Sequence, residues 1–361
     1  MPTLFGKSYT REELLKRAGN ISQLGGVTLC TLQDGPEAGI RAAEFRTGSG
    51  FSFVVLLDRG MDISRAEYNG ASLAWRSAAG DVHPSYFEPT GLGWLRTFGG
   101  GLVTTCGLTY LGAPCVDDGK ELGLHGRISH LPARNVSSGG SWVGDDYTMY
   151  VEGEMRESVV FGENILLRRR IEAKLGDARF RIHDVVRNEG FQRTPLMILY
   201  HINIGFPVID DGSEFIYSAS ESTPRDDVAK PGFEERGRFS SPIPGYKEQV
   251  FFHTVNSDSE RNARAAIVNR KFESGKGIGI CLTYRTKELD RFIEWKMMGE
   301  GTYVVGMEPA NCLVQGRAKE RARGTLQFIE PGETREFHVE IGVLSGKAEI
   351  EKFERQVASI K

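Results

Sequence analysis

A histidine and a glutamate, 107 residues apart, each interrupt an otherwise apolar, strand-like run: His201 in Tyr200-His201-Ile202-Asn203-Ile204-Gly205-Phe206 and Glu308 in Tyr303-Val304-Val305-Gly306-Met307-Glu308-Pro309. Alternation along the first run puts Tyr200, Ile202, Ile204 and Phe206 on one face and His201, Asn203 and Gly205 on the other. In the second run Gly306 shares a face with Glu308. Pro309, which has no N–H for a ladder, predicts that the strand stops there with a carboxylate at its end. The small glycines leave room beside both groups. An imidazole and a carboxylate facing one cleft offer an acid and a base, which suits proton transfer at two points of one small substrate.

Other side chains could join them. His125 lies in Leu124-His125-Gly126-Arg127, between glycine-containing loops, with His130 five residues later. Such a loop histidine is more often bonded to backbone, so its weight comes from the company of His201 and Glu308. Arg59, Arg76 and Arg127 could make charge-assisted bonds to a hydroxyl or an acidic substituent, although an arginine at a strand end serves solvation equally well. Trp94 offers a stacking platform, or simply packs. His125, His130, His201 and Glu308 could instead ligate zinc, manganese or iron, but no H-x-H or H-x-x-x-H spacing supports a metal site. Thr97-Phe98-Gly99-Gly100-Gly101-Leu102 lacks the Gly-Lys-Ser/Thr ending of a phosphate loop and reads as a bend beside the cleft.

These residues need a frame, and the frame has a period of two. Phe51–Leu57, Thr148–Arg156, Gly277–Tyr284, Tyr303–Met307, Thr325–Ile329 and Glu336–Val343 read as strands, and 166–174 with 179–187 as a hairpin. Helices are predicted only near the ends: about 10–19, opened by the capping box Thr10-Arg11-Glu12-Glu13, and about 346–359, where Ile350, Phe353 and Val357 recur at helical spacing. Without helices interleaved between strands, the pattern predicts a mainly all-β protein, a large antiparallel sandwich forming a single domain over 1–361. The 44 glycines suit its many turns, and the stretch 221–245 reads as a long surface loop.

Composition excludes several classes. Forty-five basic and 48 acidic residues leave a net charge of −3 with neither sign in blocks, which gives no footing for nucleic acid or a membrane surface. No apolar run is as long as a membrane span, and Met1–Thr10 has no signal-like stretch, so a soluble, cytoplasmic protein is expected. Five scattered cysteines with no C-x-x-C predict reduced thiols.

The segment Leu124-His125-Gly126, His201 with Asn203 on a later strand, and Glu308 near the carboxyl end together resemble the active-site pattern of the galactose mutarotase-like superfamily, the aldose 1-epimerases and their relatives. The resemblance runs from about Phe51 to Val343 and includes Asp58-Arg59-Gly60, Asn69-Gly70 and Trp75. Leu57–Ile63, Gly99–Leu102 and Gly306–Pro309 look like an uncharacterised branch of that superfamily. The family's Tyr-Phe-Asn-Leu after the strand histidine is replaced by Ile202-Asn203-Ile204-Gly205, which leaves the sugar open. The resemblance implies interconversion of α and β anomers of a monosaccharide or its derivative, without cofactor or metal. Glu308 is then the base and His201 the acid, its proton favoured by nearby carboxylate charge. His125, Arg59, Asn203, Arg127 and Trp94 hold the substrate. A non-catalytic carbohydrate-binding protein on the same fold, or a metal-dependent sugar isomerase, are the alternatives, and a homodimer is compatible with either.

Overall fold

The structure, a computed structural model, describes residues 1–360. It is 47% strand and 13% helix, which makes it an all-β protein with short helices. The named strands pair antiparallel in sheets of eight, six and five strands, with three further two-stranded pairs. In spatial order the eight-stranded sheet holds Arg134–Val143, Asp146–Ser158, Asn164–Lys174, Arg179–Asn188, Thr334–Ser345, Ile278–Arg285, Asn262–Asn269 and Glu214–Tyr217. The six-stranded sheet holds Ala219–Pro224, Gln249–Val255, Arg291–Gly299, Thr302–Ala310, Met197–Ile204 and Thr104–Leu108.

Alternation decides which face each strand buries. Along Arg179–Asn188, Phe180, Ile182, Asp184 and Val186 point inward while Arg181 and Arg187 are exposed. The predicted hairpin forms in the register Ile171 opposite Ile182 and Ala173 opposite Phe180. Burying one such large apolar side chain contributes roughly 1.5–3 kcal/mol. The main core fills the space between the inner face of the eight-stranded sheet, with Val151, Leu167 and Ile182, and the other two sheets, which supply Phe45, Phe53, Tyr200, Ile202 and Met307. A second cluster, including Trp75, Trp94, Phe98, Leu199 and Ile293, covers the opposite face of the six-stranded sheet. His201 and Asn203 alternate with Tyr200 and Ile202, so they belong to this second face.

Both terminal helices are present. Thr10 makes its capping box, but the first helix spans only Arg11–Leu15. The last spans Lys347–Ala358 and buries Ile350, Phe353 and Val357. Three expectations change. Thr302–Ala310 continues past Pro309, so Glu308 lies within the strand and not at its end. Residues 221–245 are not all loop, because Ala219–Pro224 pairs with Gln249–Val255 along the sheet edge. The strand expected over 325–329 shrinks to Phe328–Ile329. All five cysteines are free. No helix among the described residues is long and apolar enough to cross a membrane.

Candidate active site

Strand register brings the two interrupting residues together. Leu199 pairs with Ala310 and Ile202 with Met307, and this constant register sets His201 directly across from Glu308. Pro309, lacking an N–H, falls where the ladder between these strands is interrupted. His201 Nε2 lies 3.1 Å from Glu308 Oε1, and their side chains are only 6% and 3% exposed. The contact is close but not aligned as a hydrogen bond. Glu308 Oε1 and His201 Nδ1 are buried atoms without a hydrogen-bond partner among the described residues. Gly306 makes this approach feasible, since a Cβ there would sit 2.7 Å from Glu308 Oε1 and 3.4 Å from His201 Cε1.

Aromatic rings wall the pair. Phe98 and Trp295 stand edge-on to the His201 ring at 5.5 Å and 5.2 Å between centroids, and Trp75 meets Trp295 at 5.8 Å. The His125 ring is perpendicular to that of His201, 6.1 Å away, and Trp94 backs it at 4.8 Å. His125 has φ of 56°, a left-handed conformation that costs a non-glycine residue of order 1–3 kcal/mol and clusters at functional sites. The next residue must be glycine, because a Cβ on Gly126 would lie 2.3 Å from the Gly107 carbonyl oxygen. His125 Nδ1 is a further buried atom without a partner among the described residues. Asn203 donates its amide to the carbonyls of Gly101 and His201, which fixes the strand around the histidine.

Burial sets the protonation. It pushes His201 down to about 3, with His125 adding to the effect and the Asn203 side chain opposing it. His125 is driven down to about 4 by burial. Glu308 is lifted well above the ordinary carboxylate range, by burial first and then by the charge of Glu248, against the pull of Arg225. Burial thus opposes the protonated His201 expected from the sequence. Removing water from both groups disfavours their charged forms and so favours a neutral imidazole beside a carboxylic acid.

The family model described as a domain of unknown function, DUF4432, matches residues 37–343. The chain belongs to this DUF4432 family. None of the curated proteins matches it in sequence. Among solved structures it is similar to a candidate aldose 1-epimerase from Klebsiella pneumoniae, with 25% identity, a TM-score of 0.87, and coverage of 92% of this chain and 87% of that one. A galactose mutarotase-like protein from Clostridium acetobutylicum is 13% identical with a TM-score of 0.62, over 90% and 99% of the two chains. A galactose 1-epimerase from Lactobacillus acidophilus is 11% identical with a TM-score of 0.56, over 90% and 100%. This DUF4432 chain thus has the galactose mutarotase-like sandwich fold.

The structure brings His201, Glu308, His125 and Asn203 together, and it reassigns other expected residues. Arg59 is buried. It donates to the carbonyls of Ser129, Val82 and Thr97 at 2.7, 2.6 and 3.0 Å and touches His130 Nε2 at 3.3 Å, so its donors are taken up in tying loops together. Burial lowers it to about 10, which still leaves it charged at neutral pH. Arg76 pairs with Asp81 at 2.7 Å. Arg127 is exposed and lies near the Tyr110 phenol and Glu157. Trp94 is 2% exposed and donates to Ser129 Oγ, so it supports His125 and is no open platform. His130 Nε2 bonds Thr97 Oγ1 at 2.7 Å, its Nδ1 lies 3.1 Å from Ser129 Oγ and its ring stacks on Phe87, so both ring nitrogens have partners outside the metal set considered for it.

Sequence reasoning missed Trp295, Phe98 and the outer pair Glu248 and Arg225. Glu248 accepts from Trp295 Nε1 at 3.0 Å and from Arg225 at 3.1 Å. The alternation Ile293, Trp295, Met297 was the available signal for Trp295.

The Arg59 geometry makes a prediction. Arg59→Ala should lower the thermal unfolding midpoint, at about 1–3 kcal/mol for each buried acceptor left unsatisfied. It should weaken neutral and acidic sugars equally. A selective loss for acidic sugars in binding titrations would return Arg59 to the substrate.

Proposed function

We propose that this chain is an aldose 1-epimerase-like isomerase that interconverts the anomers of a monosaccharide or sugar derivative, acting as one domain in the cytoplasm. The observation that carries this reading is the buried His201–Glu308 pair, 3.1 Å apart with unpartnered atoms on both residues. The anomeric hydroxyl oxygen and the ring oxygen of a cyclic sugar are bonded to the same carbon. An acid and a base about one hydrogen bond apart match that spacing.

Neutral His201 takes the proton of the anomeric hydroxyl while the Glu308 carboxyl gives its proton to the ring oxygen. The bond from C1 to the ring oxygen breaks, leaving the open-chain carbonyl. Rotation about C1–C2 presents the other carbonyl face, and the reverse transfers close the ring. These roles are opposite to those the resemblance implied, because burial favours the proton on Glu308. His125 holds a sugar hydroxyl, Phe98 and Trp295 meet the C–H faces of the ring, and Asn203 is a positioning residue for His201.

Exchange spectroscopy by NMR on neutral, phosphorylated and acidic sugars tests class and substrate together. Cross-peaks between α and β anomers that grow with protein concentration support the proposal. Saturable binding without faster exchange would select the binding-protein alternative, and activity lost to a chelator and restored by one metal ion would select the metal-dependent isomerase.

The pH profile is a separate prediction. The competent pair holds one proton in total, so the macroscopic limits belong to the pair. Activity should fall on the acid side near pH 3, where His201 takes up a second proton, and on the alkaline side as Glu308 ionises, well above the ordinary carboxylate range. A broad plateau between these limits is expected in kcat. A narrow optimum bounded by ordinary carboxylate and imidazole values would contradict this protonation scheme.

A further inference from the structure

The solvent-facing side of the eight-stranded sheet carries a second group of histidines. His183 and His338 are direct cross-strand partners, and Glu336 lies two residues before His338 on the same face. The two imidazoles stack with centroids 4.3 Å apart and planes 15° from parallel. His183 Nε2 lies 3.0 Å from Glu336 Oε2, and His338 Nε2 lies 3.9 Å from the same oxygen. One ligating atom from each residue falls within 4.8 Å of the others. Small side-chain rotations bring such atoms to a shared centre at the about 2.0–2.2 Å typical of zinc bonds to imidazole nitrogen and carboxylate oxygen.

An independent feature orients the set. His338 Nδ1 lies 3.0 and 3.2 Å from the two carboxylate oxygens of Glu288, and Glu288 also accepts the His338 backbone N–H at 2.7 Å. An ionised carboxylate can only accept, so Nδ1 carries the hydrogen and the Nε2 lone pair is left for the side on which Glu336 and His183 stand. A carboxylate behind the far ring nitrogen is the arrangement that metal-ligating histidines use to fix their tautomer. Arg285 lies 3.4 Å from the same Nδ1, but it also pairs with Glu288 at 3.2 Å, so its charge is balanced on that side. The side chains of His183, Glu336 and His338 are 41%, 56% and 31% exposed, which leaves them open to an ion from solution.

We propose that His183, Glu336 and His338 form a surface site for a divalent transition-metal ion, zinc by ligand preference, with Glu288 as the positioning residue. Two imidazoles and one carboxylate are a zinc-type ligand set, and water completes the coordination. A bound ion would join the strands Arg179–Asn188 and Thr334–Ser345 on the face away from the His201–Glu308 pair.

The test uses the full chain without a histidine tag, stripped by chelator and titrated with zinc alone against a chromogenic competitor. One ion per chain is expected, and the cobalt form should show visible absorption of four-coordinate type. His183→Asn and His338→Asn should each abolish this binding while far-ultraviolet circular dichroism stays native. Glu288→Gln should weaken it about 10–100-fold at unchanged stoichiometry, as loss of an outer-shell partner does. His201→Asn should leave it untouched. Wild-type zinc affinity in the His183 and His338 variants, loss of binding in His201→Asn, or one ion shared between two chains would each overturn the proposal.

Discussion

Glu308→Gln is expected to slow anomer exchange by about 10²–10⁴-fold, the typical contribution of one general acid–base group. The fold should survive, because burial favours the neutral form of Glu308 and the amide preserves its shape. His201→Asn should lose a similar factor. Because the two groups make their proton transfers in the same ring-opening step, the double variant should be little worse than either single one, the non-additivity expected of residues working as a unit. Exchange rates measured against the spontaneous background, with sugar affinity measured alongside, would check this. Wild-type rates in both single variants would remove the pair from the chemistry, and multiplied losses in the double variant would mean that the two groups act on separate steps.

That pair was legible as two residues but not as a pair. Each could be read as a polar interruption in an apolar strand, because alternation is a local property. Their opposition depends on Met197–Ile204 and Thr302–Ala310 being neighbours in the sheet, and nothing local specifies a pairing between positions 107 apart in the chain. Protonation has the same limit. Burial is what lowers His201 most, and the degree of burial is a tertiary quantity that alternation along one strand does not give.

Arg59 shows the same limit. Its place after an apolar strand was visible, whereas the carbonyls of Val82, Thr97 and Ser129 that claim its guanidinium converge only in the folded chain. Pro309 was read as a stop because it lacks a donor. In the structure it still pairs opposite Phe292, and the strand runs on to Ala310. The fold class was more accessible than any of these. The hairpin over 164–188 follows from alternating burial alone, since a slip of one residue would turn Phe180 and Ile182 out to water.

The largest stability effect is expected one layer beneath the site. Arg169 and Asp184 are fully buried and joined by two bonds, Nε to Oδ1 at 2.8 Å and Nη2 to Oδ2 at 2.6 Å. Arg169 also donates to the Gly60 carbonyl and Thr105 Oγ1, and it lies 3.3 Å from Asp62. Tyr200, the residue before His201, donates its hydroxyl to Asp184 at 2.7 Å. The network therefore links the eight-stranded sheet to the strand that carries the histidine. Arg169→Ala would leave Asp184 buried without its partner, and breaking a buried pair in this way costs about 3–5 kcal/mol. Total stability is typically only about 5–15 kcal/mol, so the variant should unfold at markedly lower denaturant. Replacing both charges, Arg169→Met with Asp184→Leu, should recover only part of that loss: the attraction within the pair is largely offset by the cost of burying it, but Asp62, the Gly60 carbonyl and the Tyr200 hydroxyl still lose their partners. Denaturant titrations of the single and double variants separate these terms. A single variant as stable as wild type, or a double variant weaker than the single, would show that the ion pair is not what holds these strands together.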